Sequence, residues 1–229
     1  MVRWLDPVAR ALDGAERPVP VFFRDDDAGW RDDRLRVLLD RFEAAGLPLD
    51  VAVIPQALGP SMARELLSRD VALHQHGLSH ANHEPAGRKH EFGPSRSRDV
   101  QRADIEAGRA LLRERLGDVV EPIFTPPWNR CTADTAHCLA ELGFEVLSRE
   151  SRAPPLGLLP ELNVALDWCR LGPDAIAAGF AAAKAPVGVM LHHAEMDDDD
   201  MDRAGQLLGL VAGHDGASPR RMMALELRH

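Results

Sequence analysis

Residues 19–54 read VPVFFRDDDAGWRDDRLRVLLDRFEAAGLPLDVAVI. The runs Val19 to Arg24 and Leu49 to Ile54 are apolar without polar alternation, the pattern of strands buried on both faces. Between them Leu35, Leu38, Leu39 and Phe42 recur at helical spacing, with Asp32 or Asp33 as the cap and Gly46 as the stop. Strand, helix and strand in this order predict a parallel pair joined by a helical crossover.

The same alternation continues along the chain. Further strands are expected at Val71 to Gln75, Pro122 to Thr125, Phe144 to Leu147, Leu162 to Asp167, Val187 to Leu191 and Met222 to Leu227. A helix is expected from Ser97 to Leu116, ended by Gly117, and another over Thr132 to Leu142, with a Thr cap and Gly143 behind it. The segment Gly77 to Pro94 is polar, rich in Gly, Pro and His, and too long for an ordinary strand-to-helix connection, which marks it as a functional loop. The 229 residues carry no repeat, low-complexity tract or linker, so one domain over 1–229 is expected, of α/β class.

Composition narrows the function. The chain is 45% hydrophobic and 28% charged, ordinary globular values. Its 27 basic residues against 36 acidic ones leave −9 with no basic block, so nucleic-acid binding lacks its electrostatic footprint. No run approaches the roughly 20 apolar residues of a membrane helix. The first residues carry charge where a secretory signal needs an apolar run, which predicts a cytoplasmic location. Cys131, Cys138 and Cys169 are an odd number without C-x-x-C spacing, which fits reduced thiols filling core space.

Chemistry is expected where parallel strands end. The first strand ends in Arg24, Asp25, Asp26 and Asp27, and three adjacent carboxylates are costly without a cation, an altered protonation state or solvation. The third runs into His74, His76, His80 and His83, four of the ten histidines within ten residues. His76 and His80 lie four apart, on one side of a helical turn, and can converge on one metal ion. The fourth ends in Thr125-Pro126-Pro127-Trp128-Asn129-Arg130, where the prolines stiffen the turn and leave the Trp128 N–H as an aimed donor. Later strands end in Asp167-Trp168 and in His192-His193. Asp197 to Asp200 read as a solvated loop capping a helix from Met201, and His74 and His83 as supporting residues.

Taken in order, these pieces resemble the five motifs of the polysaccharide deacetylases, the NodB-homology carbohydrate esterases, over residues 21 to about 193. His76-Gly77-Leu78-Ser79-His80 is the closest match. The resemblance implies a distorted (β/α)7 barrel and metal-dependent removal of an acyl group from an amide nitrogen, usually on an N-acetylated sugar. It implies a general base followed by a metal-binding aspartate, with the two histidines completing the metal set. Asp26 as base with Asp27, His76 and His80 as ligands is one alignment; Asp25 and Asp26 form the shifted pair. Zinc suits these ligands, as do cobalt, nickel, iron or manganese.

The sequence departs from the pattern at Thr125, where the family has the arginine that orients the base. Strand alternation puts Arg24 on the side of Asp26, so Arg24 can substitute, with Arg130 as competitor. His192 matches the last motif more directly than His193 and would protonate the leaving amine. Trp128, Asn129, Asp167 and Trp168 are the expected substrate or oxyanion residues, and a carbohydrate or small molecule the expected partner. Hydrolysis of a formyl or cyclic amide, and a metal-holding binding module without turnover, are the alternatives.

Overall fold

The computed structural model describes residues 3–182 and 186–225. Strands and helices alternate in chain order: α1 Asp6–Asp13, β1 Val19–Ala28, α2 Asp32–Ala45, β2 Asp50–Val53, α3 Pro60–Ser68, β3 Ala72–His76, α4 Arg98–Leu116, β4 Val120–Thr125, α5 Ala133–Glu141, β5 Val146–Leu147, β6 Leu166–Asp167, α6 Pro173–Ala181, β7 Val187–Leu191, α7 Asp198–Gly213 and β8 Ala217–Pro219. The chain divides into two compact units. One contains the residues up to Asp26, Arg31–Asp50 and Val164–Leu225; the other contains Asp27–Trp30 and Val51–Asn163.

In the first unit β7 lies between β1 and β6, all parallel, with Val21 opposite Val187, Asp25 opposite Leu191, and Leu166 opposite Val189. The short β8 runs parallel to the start of β1. Phe23 and Phe42 meet edge to face at 5.3 Å, which docks α2 on the strand through the apolar stripe read from its sequence. In the second unit the order is β5, β4, β3, β2, with Gln75 opposite Phe124 and Ile123 opposite Val146. Its core holds Phe92, Ile105, Phe124, Cys138, Leu139, Phe144 and Leu147. Strands β2 and β3 are buried along their whole length, and β3 carries His74, Gln75 and His76 buried with it.

Several expectations are corrected. The first strand runs on through all three aspartates to Ala28. Asp32 and Asp33 lie inside the first turn of α2, and the cap position belongs to Arg31, whose side chain makes no capping bond. The segment Leu162 to Asp167 divides: the Leu162 amide donates to the Leu147 carbonyl at 3.0 Å in one unit, while only Leu166–Asp167 pairs with β7 in the other. Phe144 to Leu147 likewise forms a strand only at its last two residues. Met222–Ala224 is a 3-10 turn, held where the Met222 amide donates to the Asp50 carboxylate, and the rest of the expected strand beyond Leu225 lies outside the described residues. Helices α1, α3 and α6 carry proline in their first turn, where its missing N–H costs no helical bond.

The Thr132 cap read from sequence is present; Ser97 caps α4 from just outside it, and Asp197 caps α7, which takes in Asp198 to Asp200 instead of starting at Met201. Thr132 and Thr135 cap α5 reciprocally, the Thr132 amide donating to the Thr135 hydroxyl at 3.0 Å. Thr132→Ala is expected to lower stability by about 1 kcal/mol in urea unfolding, with the slope unchanged.

Candidate metal centre and neighbouring acid–base groups

Asp27, His76 and His80 come together in the second unit. One oxygen of Asp27, Oδ1, lies 3.2 Å from His76 Nε2 and 3.1 Å from His80 Nε2. The edge of a tetrahedron of ligands about 2.1 Å from an ion is about 3.4 Å, so the three atoms fit around one divalent cation. His76 Nδ1 lies 2.9 Å from the Thr125 carbonyl, which can only accept, so Nδ1 carries a proton and the ring is oriented with Nε2 toward Asp27. Burial pushes the Asp27 carboxyl up, but hydrogen bonds and charge from His76 and His80 outweigh it and hold the group well below the usual carboxylate range. The set is an ionised oxygen and two imidazole nitrogens, a mixed donor set suited to zinc and its neighbours.

The histidines do not share a helical turn. His76 ends β3, and the chain leaves it through Gly77 at φ 61° and returns at His80, itself at φ 59°. The buried Glu91 closes this loop. Its carboxylate accepts from the Ser79 amide at 2.7 Å, the Ser79 hydroxyl at 2.9 Å and the amides of Leu78 and His80 at 3.3 Å. A Cβ at Gly77 would stand 2.1 Å from Glu91 Oε2 and 2.7 Å from Pro127, so only glycine fits there. From inside the sheet Gln75 donates to the Gly77 carbonyl at 3.0 Å.

The end of β4 supplies the surroundings. After Pro126 and Pro127, Trp128 and Asn129 both turn left-handed, at φ 55° and 59°. His80 sits between two indoles, with centroids 4.4 Å from Trp128 and 4.7 Å from Trp30, and Lys89 Nζ lies 5.9 Å from the Trp128 ring. Thr125 is fully buried, and its hydroxyl is 2.9 Å from His74 Nε2. The His83 amide donates to the His90 carbonyl, and Arg130 donates to the Lys89 carbonyl at 3.2 Å.

The first unit gathers the acid–base residues. Arg24 is fully buried and forks onto Asp26, donating to Oδ1 at 2.8 Å and to Oδ2 at 2.9 Å. His192 Nε2 stands 3.9 Å from Asp26 Oδ2 and is partly exposed. His193 is fully buried and pairs with Asp25 at 2.6 Å through Nδ1, while its amide donates to the same carboxylate at 3.0 Å. Burial pushes the Asp25 carboxyl above its ordinary value in spite of His193. Asp167 is partly buried and bonded to Arg170 at 3.2 Å, and Trp168 is 2% exposed, packed on Trp4 with centroids 6.1 Å apart.

The sequence-expected residues thus fall into two groups: Asp27, His76, His80, Trp128 and Asn129 in one unit, and Arg24, Asp26, Asp167, Trp168 and His192 in the other. Sequence reasoning missed Trp30 and gave Glu91 no definite part. A tryptophan on the turn after the aspartates and a carboxylate inside the long loop were the available signals.

No protein-family model matches the chain, and no curated protein is similar to it in sequence. Solved structures are similar in fold. A family 4 carbohydrate esterase from Streptomyces lividans, in complex with acetate, is 15% identical, with a TM-score of 0.64 over 89% of this chain and 93% of that one. The peptidoglycan deacetylase PdaC from Bacillus subtilis, as a mutant, is 10% identical, with a TM-score of 0.61 over 89% and 87%. A family 4 pseudoenzyme from Bacillus anthracis is 10% identical, with a TM-score of 0.65 over 92% and 66%. The fold is therefore the distorted (β/α)7 type of the family 4, NodB-homology polysaccharide deacetylases. Among the described residues no helix is long and apolar enough to cross a membrane.

Glu91→Gln, which keeps the shape but loses an acceptor, is expected to weaken zinc binding about 10- to 100-fold in a chelator competition; unchanged affinity would make Glu91 a loop residue only. Arg24→Met removes the guanidinium fork from the buried Asp26 carboxylate and should cost about 3–5 kcal/mol in denaturant unfolding. Part of that loss should return in Arg24→Met/Asp26→Asn, where the buried negative charge is gone as well.

Proposed function

We propose that this chain is a metal-dependent hydrolase that removes an acyl group from an amide nitrogen, on an N-acetylated sugar or a related small metabolite. The observation that carries the reading is the meeting of Asp27 Oδ1 with two imidazole nitrogens at 3.2 and 3.1 Å. The likeness in fold to a carbohydrate esterase and to a peptidoglycan deacetylase supports the substrate class.

A divalent ion held by Asp27, His76 and His80 supplies Lewis acidity at the carbonyl and lowers the pKa of water. Asp26, the residue before Asp27 in the chain, takes the proton from the attacking water, and the Arg24 fork fixes the orientation of its carboxylate. His192, 3.9 Å from Asp26, gives a proton to the departing amine. The base and the acid then stand side by side and can exchange the proton between turnovers. Trp128 N–H is the donor for the developing oxyanion, and the indoles of Trp30 and Trp128 offer flat apolar walls to a sugar ring. Hydrolysis of a formyl or cyclic amide uses the same groups.

A non-catalytic module is the second reading, favoured by Thr125 in the place of the motif arginine and by a fold neighbour named as a pseudoenzyme. Arg24 on Asp26 weighs against it.

Elemental analysis of protein purified without chelator should give close to one metal per chain, and Asp27→Asn or His76→Ala should lower that occupancy. Asp26→Asn and His192→Ala should keep the metal and slow N-acyl hydrolysis at least about a hundredfold. A metal-loaded wild type that hydrolyses no formyl, acetyl or cyclic amide supports the second reading. If Asp26→Asn empties the site and Asp27→Asn does not, Asp25 and Asp26 are the base and ligand.

A further inference from the structure

A second set of metal-ligating side chains gathers at the ends of β6 and β7, within the first unit. Asp167, Cys169 and His192 each present one ligand atom, and the three atoms lie within 4.8 Å of one another. Asp167 uses Oδ2 on Arg170 at 3.2 Å, while its Oδ1 is buried without a hydrogen-bond partner among the described residues. His192 Nδ1 is buried and unpartnered in the same way. Cys169 Sγ makes a 3.9 Å contact with the His192 carbonyl. A carboxylate oxygen and an imidazole nitrogen that are both buried and both without a hydrogen-bond partner among the described residues leave ligating capacity that a cation can use.

We propose that Asp167, Cys169 and His192 form a second cation site that takes a thiophilic divalent ion and, when filled, withdraws His192 from hydrolysis. The inhibitory half of this statement rests on the role given to His192 above; the binding half does not.

The donor sets explain why the two sites would separate by ion. Asp27, His76 and His80 offer only oxygen and nitrogen, whereas Cys169 offers sulfur, which favours soft ions. Burial, with Asp167 adding to it, pushes the Cys169 thiol up to about 12, so the ion must displace a proton to solvent as the sulfur–metal bond forms. Hard oxygen-seeking ions such as magnesium and calcium bind thiolate poorly and cannot drive that exchange. Cadmium can, and its bond to thiolate has an ultraviolet charge-transfer band that reports the sulfur directly.

The test begins with metal-free protein reconstituted with one equivalent of zinc and titrated with cadmium. Wild type should develop the thiolate band to saturation at one cadmium per chain, with N-acyl turnover falling in parallel. Cys169→Ala should show no band, bind cadmium in this step at least about tenfold more weakly, and keep its turnover with and without cadmium. Asp167→Asn should keep the band but reach saturation at about tenfold higher cadmium. No band in wild type, or a band that persists in Cys169→Ala, overturns the site. A Cys169-dependent band without inhibition of an active enzyme overturns the inhibitory half. Should wild type hydrolyse no N-acyl substrate, the band still decides the site, and the failure falls on the function proposed above.

Discussion

Asp27 Oδ1 lies within 3.2 Å of two imidazole nitrogens, and a mostly buried carboxylate stays there only because these partners answer its charge. Much of the second unit is arranged to keep them there. The Thr125 carbonyl accepts from His76 Nδ1–H and thereby holds the ring with Nε2 toward Asp27. Glu91, itself a buried charge, is made tolerable by its donors from Leu78, Ser79 and His80, and the same bonds fix the loop that brings His80 back. Each support uses backbone groups, which makes the arrangement depend on chain path more than on the identity of neighbouring side chains.

That path is strained. Among the described residues the non-glycine positions with positive φ are Asp27, Arg31, His80, Trp128 and Asn129. Such conformations cost of order 1–3 kcal/mol each for ordinary residues, and they persist only where surrounding bonds over-determine them. Here they do: the Trp30 amide donates to the Asp27 carbonyl, the Asn129 amide to the Pro126 carbonyl, and the His80 amide to Glu91. Two metal-ligand candidates and the expected oxyanion donor are thus held in conformations that a relaxed loop would leave.

What could be read from sequence was whatever local periodicity controls. Apolar strand runs, the cap at Thr132, and the i, i+2 relation of Arg24 to Asp26 each depend on neighbours in the chain, and each is present in the structure. The spacing of His76 and His80 was legible, but the helical turn inferred from it was not there, because the convergence depends on Glu91, eleven residues beyond His80. The pairing of Asp25 with His193 spans 168 residues, and no local pattern marks it. The division of Leu162 to Asp167 between two partners was equally hidden, since a short apolar run looks the same whichever neighbour it pairs with.

The three consecutive aspartates, a puzzle of repulsion in the sequence, are resolved one at a time. Asp26 is neutralised by a permanent cation, the buried Arg24, which no change of pH removes. Asp25 is buried against His193, and burial raises its pKa in spite of that partner, so a proton shared within the pair can cancel its charge. Asp27 has neither solution. Its partners are imidazoles, and one of them has already committed its Nδ1 proton to the Thr125 carbonyl. Protonating both rings would meet the charge, but it would place two imidazoliums with ring centroids 5.2 Å apart in a mostly buried site. A single divalent ion could take the carboxylate and both imidazole nitrogens as ligands at once. Of the three, Asp27 is the one whose carboxylate meets two imidazole nitrogens, the grouping that could hold a metal ion.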